Sequence, residues 1–362
     1  MKNKILLAVP QLSGGGAERV VSIWANELSK RNFQVSILVF ARTSDEYYLA
    51  EDIKIFSIAG TSREYMSLSF FKRFIIMRDL LKKIRPGYVI SFLPTMQVWL
   101  SFATIGLKIK RIETIRVNPW KIKFDNLLYF KLWRRCFKTC NTIILQSVSQ
   151  MSFFNAKERK KCVIIPNPLS DVFIKNYKDT IPDSPREFIA VGRITPQKNY
   201  EMMIKTFSEL CKTQSDLELK IFGTGDSNYV KEIEELILEL HMQKNVFLMG
   251  RNKNIEEEYK KSDVFLMTSN YEGMPNSLIE AMASQLLCIS TDCKTGPSDL
   301  LDNNENGYLV PVNDAQRLKE VVEDVLSMEA EKRNSIAKAA RKKVMKFCSM
   351  ESSMDILCSI LC

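Results

Sequence analysis

The sequence is poor in the groups that commonly build metal and acid–base sites. Its 362 residues include a single histidine, His241, and its nine cysteines form no C-x-x-C pair. Mechanisms that need two histidines are therefore excluded, and the irregular cysteine spacing argues against zinc and for reduced thiols in a cytosolic protein. Loops of the G-x-G-x-x-G or Walker type are missing, as are Asp-x-Asp triplets. No apolar run reaches the roughly 18 residues that span a bilayer.

Acidic residues are scarce in the first half of the chain. Residues 1–180 contain 30 Lys and Arg against 13 Asp and Glu, a net charge of +17, whereas residues 181–362 carry −7. Together these values give the +10 of the whole chain. We expect the basic half to meet something anionic: a membrane surface, a nucleic acid or a phosphorylated substrate.

Short apolar runs alternate with amphipathic helical stretches along the whole chain. KILLAVP precedes AERVVSIWANELSKR near the N-terminus, and EFIAVGR precedes NYEMMIKTFSELCKT in the second half. Such alternation is typical of parallel sheets covered by helices on both faces. Because it occurs twice, with Pro166 and Pro168 between, we predict an α/β protein with domains at residues 1–170 and 171–335. A C-terminal helix, residues 336–362, is expected to pack back toward the first domain.

A glycine-rich loop follows the first predicted strand and opens the first helix. Gly15 and Gly16 belong to the run SGGGAE. Glycines let backbone N–H groups approach a ligand closely, and the helix N-terminus favours an anion. A flexible tight turn explains the same residues equally well.

Two cations lie in VGRITPQKN, which follows the first strand of the second half. Arg193 and Lys198 come just before a helix that begins near Asn199. Two cations beside a helix N-terminus can hold a diphosphate. The alternative is a pair of solvated surface cations.

The segment YEGMPNSLIEAMA is predicted to be a loop that becomes a helix, since proline fits a first helical turn. Backbone N–H groups of Gly273, Met274 and Asn276 can then point at a sugar or phosphate. The carboxylates of Glu272 and Glu280 suit sugar or ribose hydroxyls. The alternative is a carboxylate that stabilises the helix dipole and an exposed glutamate in mid-helix.

The sequence resembles glycosyltransferase family 4 in six segments: GGGAERV, IPNPL, VGRITPQKN, IFGTGD, SNYEGMPNSLIEAMASQLLCISTDCKTGPSDLL and NGYLVPVND. The fifth segment matches the E-x7-E signature of that family. The resemblance covers nearly the whole chain, is strongest over residues 186–315, and is nearest to bacterial transferases that build surface polysaccharides on a lipid carrier. It implies the GT-B fold, in which two Rossmann-like doubly wound domains face a cleft.

The resemblance also implies roles for individual residues. Arg193 and Lys198 match the cations that hold the donor diphosphate. Glu280 matches the glutamate that binds the nucleotide ribose, and Glu272 matches the one that contacts the donor sugar near the reacting carbon. These three side chains, Glu272, Arg193 and Lys198, are the expected catalytic residues.

Further expectations follow from the family. Gly15 and Gly16 match the glycine loop that closes over the phosphates. The family implies a retaining, metal-independent transfer of a hexose or N-acetylhexosamine from a nucleotide sugar, expected to be UDP-linked, to a lipid-linked glycan of an O-antigen, capsule or lipopolysaccharide. No cofactor is expected, because the nucleotide sugar is a substrate.

One departure from the family concerns the first domain. Many relatives have a histidine near the donor sugar, and this sequence has none there. The stretch ETIRVNPW resembles an Arg-Asn/Asp-Pro segment of some relatives, which predicts that Arg116 and Asn118 lie in the acceptor and sugar region. Arg251 and Asn252 follow the strand NVFLMG, where the nucleotide base is expected.

Aromatic and basic residues are interleaved in FFKRFIIMRDLLKKIR and in residues 120–138. Basic amphipathic helices suit an anionic membrane surface, which predicts a cytoplasmic protein peripherally bound to the inner face of the plasma membrane. A core-packed face with a solvated basic face is the alternative. No nucleic-acid-binding motif accompanies the charge. Two other functions stay open: a catalytically idle protein that binds membrane or nucleic acid, and a nucleotide-sugar epimerase of the same fold.

Overall fold

The computed structural model describes residues 4–122 and 127–362. The chain forms two compact units, one built from the residues up to Asn167 together with Glu351–Cys362, the other from Pro168–Met350. Each unit contains one sheet of parallel strands. The α/β fold class predicted from the alternating pattern is thus confirmed.

The first unit contains a seven-stranded sheet. Its strands are β1 (Lys4–Ala8), β2 (Gln34–Ala41), β3 (Lys54–Ala59), β4 (Tyr88–Ser91), β5 (Lys110–Ile115), β6 (Thr142–Leu145) and β7 (Cys162–Ile164). They lie in the order β3-β2-β1-β4-β5-β6-β7, and every neighbouring pair is parallel.

Helices accompany this sheet at α1 (Gly16–Lys30), α2 (Ser62–Ser67), α3 (Phe70–Ile84), α4 (Pro94–Ala103), α5 (Leu127–Thr139) and α6 (Ala156–Arg159). Residues 5–8 of β1 are all buried. Because successive side chains of a strand point to opposite faces, both faces of the sheet are covered. The short 3₁₀ helix Ser149–Phe153 follows β6.

The second unit contains a six-stranded parallel sheet in the order β10-β9-β8-β11-β12-β13. Its strands are β8 (Glu187–Val191), β9 (Glu218–Phe222), β10 (Val246–Gly250), β11 (Val264–Met267), β12 (Leu287–Thr291) and β13 (Tyr308–Val310). Its helices are α7 (Asp171–Lys175), α8 (Tyr200–Cys211), α9 (Ser227–Glu239), α10 (Ile255–Lys261), α11 (Asn276–Ala283), α12 (Pro297–Leu300), α13 (Ala315–Ser327) and α14 (Ala330–Phe347).

The last helix, α15 (Met350–Leu361), returns to the first unit, where Asp355 Oδ1 lies 3.7 Å from Arg31 Nη2. Of the predicted C-terminal segment 336–362, residues up to Met350 belong to the second unit. Across the two described ranges of the chain, no helix has the length and apolar character needed to cross a bilayer.

Candidate active site

The second sheet reverses its strand order between β8 and β11, which are hydrogen-bonded neighbours. In open parallel sheets, ligands bind at such a switch point, beyond the carboxyl ends of the strands. Two loops start there. The β8 loop, residues 192–199, leads into α8, and the β11 loop, residues 268–275, leads into α11. They contain five of the residues that were predicted to bind the donor: Arg193, Lys198, Glu272, Gly273 and Met274.

Backbone and side-chain hydrogen bonds join the two loops. Gln197 Nε2 donates to the Tyr271 carbonyl at 2.8 Å, and the Gln197 carbonyl accepts from the Asn270 N–H at 2.8 Å. Asn270 Nδ2 donates to the Pro196 carbonyl at 3.0 Å. The β8 and β11 loops therefore form one connected structure.

Thr268, at the start of the β11 loop, fixes the end of the β8 loop. Its side chain is buried, and its Oγ1 lies 2.9 Å from the carbonyl oxygens of both Lys198 and Asn199. Asn199 adopts a left-handed conformation with φ of 52° and caps α8 by accepting from the Met202 N–H. These contacts set the point from which the Lys198 side chain leaves the backbone.

Lys198 and Glu272 form an ion pair between the loops. Lys198 Nζ donates to Glu272 Oε1 at 2.7 Å, and the two side chains are only 15% and 10% exposed. The Thr295 hydroxyl donates to the Glu272 carbonyl, so the residue is held on its backbone side as well. The cation predicted for the diphosphate and the carboxylate predicted for the sugar are therefore in direct contact.

Gly192 makes room for the Lys198 side chain. A Cβ at Gly192 would lie 2.8 Å from Lys198 Cε and 3.2 Å from the Tyr200 hydroxyl oxygen. The Tyr200 hydroxyl donates to the Gly192 carbonyl at 3.2 Å. Burial first, and the charge of Glu272 second, raise the pKa of Tyr200, so this hydroxyl stays protonated and can keep donating.

Other residues at this edge of the sheet that were predicted to bind the nucleotide sugar are more exposed to solvent. Arg193 is exposed on the β8 loop, and its neighbour Ile194 donates its N–H to the Thr224 carbonyl at 2.9 Å. Arg251 is exposed and Asn252 half-buried just after β10. Since β9 lies between β10 and β8, this pair stands two strands away from the β8 loop.

The E-x7-E segment folds as a loop that becomes a helix, as predicted, but Pro275 lies one residue before the first helical turn in which it was expected. Pro275 is the N-cap of α11, which starts at Asn276. Leu278 and Met282 are buried core residues, and Glu280 is 9% exposed, so the alternative of an exposed mid-helix glutamate is wrong.

The turn before α11 also depends on a neighbouring glycine. Gly296 has a φ of +96°, and a Cβ there would lie 2.6 Å from the carbonyl oxygen of Gly273. Gly296 therefore packs closely against the residues just before the helix, Gly273 and Met274. Met274 itself is buried.

In the first unit, the predicted glycine loop lies between β1 and α1. Gly14 has a φ of +85°, Gly15 is the N-cap of α1, and Gly16 is its first residue. A Cβ at Gly15 would overlap the carboxylate of Glu18. The sequence prediction of a loop that opens the first helix is confirmed; its role at a phosphate stays a prediction.

Arg116 and Asn118 are buried directly after β5. Arg116 Nη1 donates to Asn167 Oδ1 at 3.0 Å. Asn118 Oδ1 accepts from the Trp120 N–H at 3.0 Å and forms a local turn. Burial lowers the pKa of Arg116 to about 9, because the charged guanidinium is removed from water.

Sequence reasoning missed the residues that hold the loops. Thr268, Thr295, Tyr200 and Gln197 were not nominated, although each is bonded to a loop that carries a nominated residue. Thr268 had a usable signal, because a polar residue directly after the apolar run VFLM marks the carboxyl end of a buried strand. The other three contacts depend on tertiary structure.

Comparison with known families is consistent with this geometry. The family described as "Glycosyl transferases group 1" matches residues 173–343, and the family described as "Glycosyl transferase 4-like" matches residues 11–147. Together these matches cover most of both units. The chain belongs to the glycosyltransferases of these two families.

Two relatives of this glycosyltransferase are bacterial enzymes named for glycan synthesis. It is 28% identical, over 90% of its length and 89% of the relative, to a Campylobacter jejuni alpha-1,4-N-acetyl-D-galactosaminyltransferase named for a diNAcBac-PP-undecaprenol-linked substrate. It is 26% identical to the amylovoran biosynthesis glycosyltransferase AmsD of Erwinia amylovora, over 91% of the chain and 92% of the relative.

Solved structures show the same fold. HepE from Anabaena, in complex with UDP and glucose, superimposes with a TM-score of 0.80 at 15% identity, over 99% of both chains. The two parallel α/β units are therefore those of the GT-B fold predicted from the sequence.

Proposed function

We propose that this glycosyltransferase moves a hexose or N-acetylhexosamine from a UDP-linked donor to a lipid-linked glycan, with retention of the anomeric configuration and without a metal ion. The observation that carries the proposal is the Lys198–Glu272 pair, at 2.7 Å between Nζ and Oε1 on two joined loops at the switch point of the second sheet. The UDP complex of HepE supports the choice of donor.

The cations of the β8 loop are proposed to hold the donor diphosphate. Lys198 has three N–H donors, of which one binds Glu272, so it can donate to a phosphate oxygen while keeping that contact. Arg193, exposed on the same loop, adds a fork of donors. Negative charge grows on the leaving diphosphate during transfer, and fixed cations stabilise that charge in the transition state.

The two glutamates are proposed to bind the hydroxyl groups on either side of the diphosphate. Glu272, beside Lys198, would contact the donor sugar, and Glu280 on α11 would bind the ribose. A glutamate held by a lysine cannot rotate freely, which makes it a fixed hydrogen-bond acceptor. Arg251 and Asn252 would face the base.

In the proposed reaction the acceptor hydroxyl attacks the anomeric carbon on the face that the diphosphate leaves. A phosphate oxygen takes the hydroxyl proton as the new bond forms. No protein base is required in this scheme, which is compatible with a chain that has a single histidine.

The acceptor is proposed to be a lipid-linked glycan of a surface polysaccharide, because the Campylobacter relative is named for a PP-undecaprenol-linked substrate and AmsD for amylovoran biosynthesis. The protein would then act in the cytoplasm at the inner face of the plasma membrane.

Helix α3 gives the best support for membrane contact. It buries Met77 and Leu81 but exposes Phe70 (66%), Phe71 (75%) and Ile75 (53%) among its cations. By contrast, Trp133 and Phe137 of α5 are core residues, so the aromatic residues of that helix mostly serve packing. We therefore assign membrane contact to the start of α3.

Flotation with anionic liposomes tests this surface. Binding should weaken as salt rises, since the cations contribute up to ~1 kcal/mol each. Phe71→Ser should reduce flotation, whereas Leu238→Ser, at a residue of the second unit that is 54% exposed, should not. Equal flotation of both variants, or none by the wild type, would remove α3 from the proposal.

The transfer itself is tested by incubating the protein with single nucleotide sugars and a bacterial membrane extract. UDP should be released with at least one UDP-linked donor, and the lipid-linked product should gain the mass of one sugar residue. The Lys198→Ala variant serves as the control. If no common donor yields a nucleoside diphosphate, the proposal fails.

A further inference from the structure

Arg116 is a buried cation without a counter-ion among the described residues. It is 8% exposed, and its one hydrogen bond joins Nη1 to Asn167 Oδ1. Its Nε and Nη2 atoms are buried and have no hydrogen-bond partner in the described ranges. Two donor atoms of one guanidinium, which carry three N–H groups, are thus removed from water and unbonded among the described residues.

The surroundings of Arg116 do not neutralise its charge. The guanidinium carbon lies 4.5 Å from the ring centre of Trp24 and 5.6 Å from that of Phe92, so the group lies against two aromatic rings. Aromatic rings attract a cation but leave its N–H groups unbonded. Burying such a group is unfavourable unless a partner supplies acceptors and negative charge.

Arg111, on the strand that precedes Arg116, shows the ordinary arrangement. It is buried to the same degree, and its Nη1 donates to Glu113 Oε1 at 3.3 Å. The Ser91 hydroxyl donates to the other oxygen of Glu113. The first unit therefore pairs one buried arginine with an acid of its own, whereas its described residues offer no acid to Arg116 at the carboxyl end of β5.

The neighbours of Arg116 place it where open sheets bind ligands. Gln146 follows β6, and its Nε2 donates to the same Asn167 Oδ1 at 2.6 Å. The Gln146 Oε1 atom is buried and has no partner among the described residues. Arg116, Gln146 and Asn167 follow the adjacent strands β5, β6 and β7 at their carboxyl ends. Unbonded donors and an unbonded acceptor thus lie within one hydrogen-bonded cluster.

We propose that Arg116 binds an oxyanion of the acceptor substrate, a phosphate or a sugar carboxylate, through Nε and Nη2, while Gln146 Oε1 accepts from a neighbouring hydroxyl. The planar fork of a guanidinium matches two oxygens of either anion. The proposal rests on the proposed function, in which Arg193 and Lys198 hold the donor diphosphate, so that the acceptor is the remaining anionic substrate.

The test uses inorganic pyrophosphate and glucuronate as probes and the melting temperature as readout. The Arg193→Ala/Lys198→Ala variant removes the proposed donor cations. In that background, one of the two anions at saturating concentration should still raise the melting temperature by about 2–4 °C. Adding Arg116→Met should abolish that rise. The anion that acts distinguishes a phosphate from a carboxylate on the acceptor.

Two controls separate a role of Arg116 in anion binding from a role in the stability of the fold. Without any anion, Arg116→Met should melt at or above the wild-type temperature, because it removes an unneutralised charge, whereas Arg111→Met should melt several degrees lower. Arg116→Lys keeps the charge but not the fork, and should lose at least half of the anion-induced rise.

Other outcomes overturn the proposal. If neither anion stabilises the Arg193→Ala/Lys198→Ala variant, or if Arg116→Met unfolds or melts as low as Arg111→Met, then Arg116 is a packing residue. If Arg116→Met in the otherwise wild-type chain loses the rise caused by UDP, the anion belongs to the donor. None of these results depends on UDP release, so the proposed transfer can stand or fall separately.

Discussion

A largely buried cation lies at the carboxyl end of each sheet, and the two cations differ in their bonding partners. In the second unit, Lys198 is neutralised by Glu272 at 2.7 Å, and hydrogen bonds join the two loops that carry them. In the first unit, Arg116 leaves β5 with two guanidinium nitrogens unbonded among the described residues. At the second sheet, the cation is paired with an acid of the same unit. At the first sheet, no described residue neutralises the charge of Arg116.

This difference indicates what each edge can do. A lysine already paired with a carboxylate keeps its position and gives up little structure when a phosphate approaches, which suits a pre-organised donor site. An unpaired buried arginine stores unfavourable free energy that an anionic ligand can release on binding. The two edges should therefore respond in opposite ways when the cation is removed.

Lys198→Met is expected to have the largest effect. It leaves the largely buried Glu272 without its cation, which should lower the free energy of unfolding by roughly 3 kcal/mol. Turnover should fall by about tenfold or more, equivalent to ~1.4 kcal/mol of transition-state stabilisation. Denaturant unfolding and nucleotide release measure the two effects. Arg116→Met, in contrast, should not reduce stability.

Arg193→Ala is the matched variant for turnover. Arg193 is exposed on the same loop, so its loss should reduce turnover by about tenfold while stability stays within about 0.5 kcal/mol of the wild type. Wild-type rates in both the Arg193 and the Lys198 variant would rule out the diphosphate assignment. Unchanged stability of Lys198→Met would show that the ion pair does not hold the loops.

The ion pair of Arg111 and Glu113 in the first unit predicts that the free energy of unfolding depends on pH. Burial raises the pKa of Glu113 to about 7, against the opposing effects of Arg111 and of the Ser91 hydrogen bond. Because the folded state binds the proton more tightly than the unfolded state, this group reduces stability as pH rises from about 4.5 to about 7.

The measurement compares wild type with Glu113→Gln, which cannot ionise. The stability of the wild type relative to the variant should decline across that window by up to about 3 kcal/mol. Unfolding curves at several pH values give this difference. A constant difference would mean that Glu113 keeps one charge state throughout.

Thr268→Val tests the joined loops of the second unit. The change keeps the shape but removes the donor to the carbonyls of Lys198 and Asn199, which should reduce stability by about 1–2 kcal/mol and lower turnover. Thr206→Val is the control, because Thr206 is equally buried and its hydroxyl has no partner in the described ranges. Identical losses in the two variants would contradict the role of Thr268.

Much of the fold could be predicted from the sequence because its pattern is regular. Buried runs such as KILLA and VFLM lie on strands, and Val20, Trp24 and Leu28 of α1 are all buried at helical spacing. The strands β3 and β13 were not predicted. β13 has only three residues, and β3 is an edge strand with half-buried positions, so neither gives a strong apolar signal.

The candidate site could be predicted in part. Arg193, Lys198 and Glu272 were nominated because charged residues after buried strands indicate a ligand edge. The ion pair between Lys198 and Glu272 could not be predicted, since it depends on the pairing of β8 with β11. The unbalanced charge of Arg116 could not be predicted either, because a sequence does not show which carboxylates a buried arginine meets.

The central claim is that the second unit binds the donor through Lys198 and Glu280. Calorimetric titration with UDP tests this claim most directly. UDP should bind the wild type, and its Kd should rise about tenfold in Lys198→Ala and in Glu280→Gln, a loss of about 1.4 kcal/mol each. Lys231→Ala, at an exposed position of α9, should bind as the wild type does. The same Kd in all four proteins would contradict the claim.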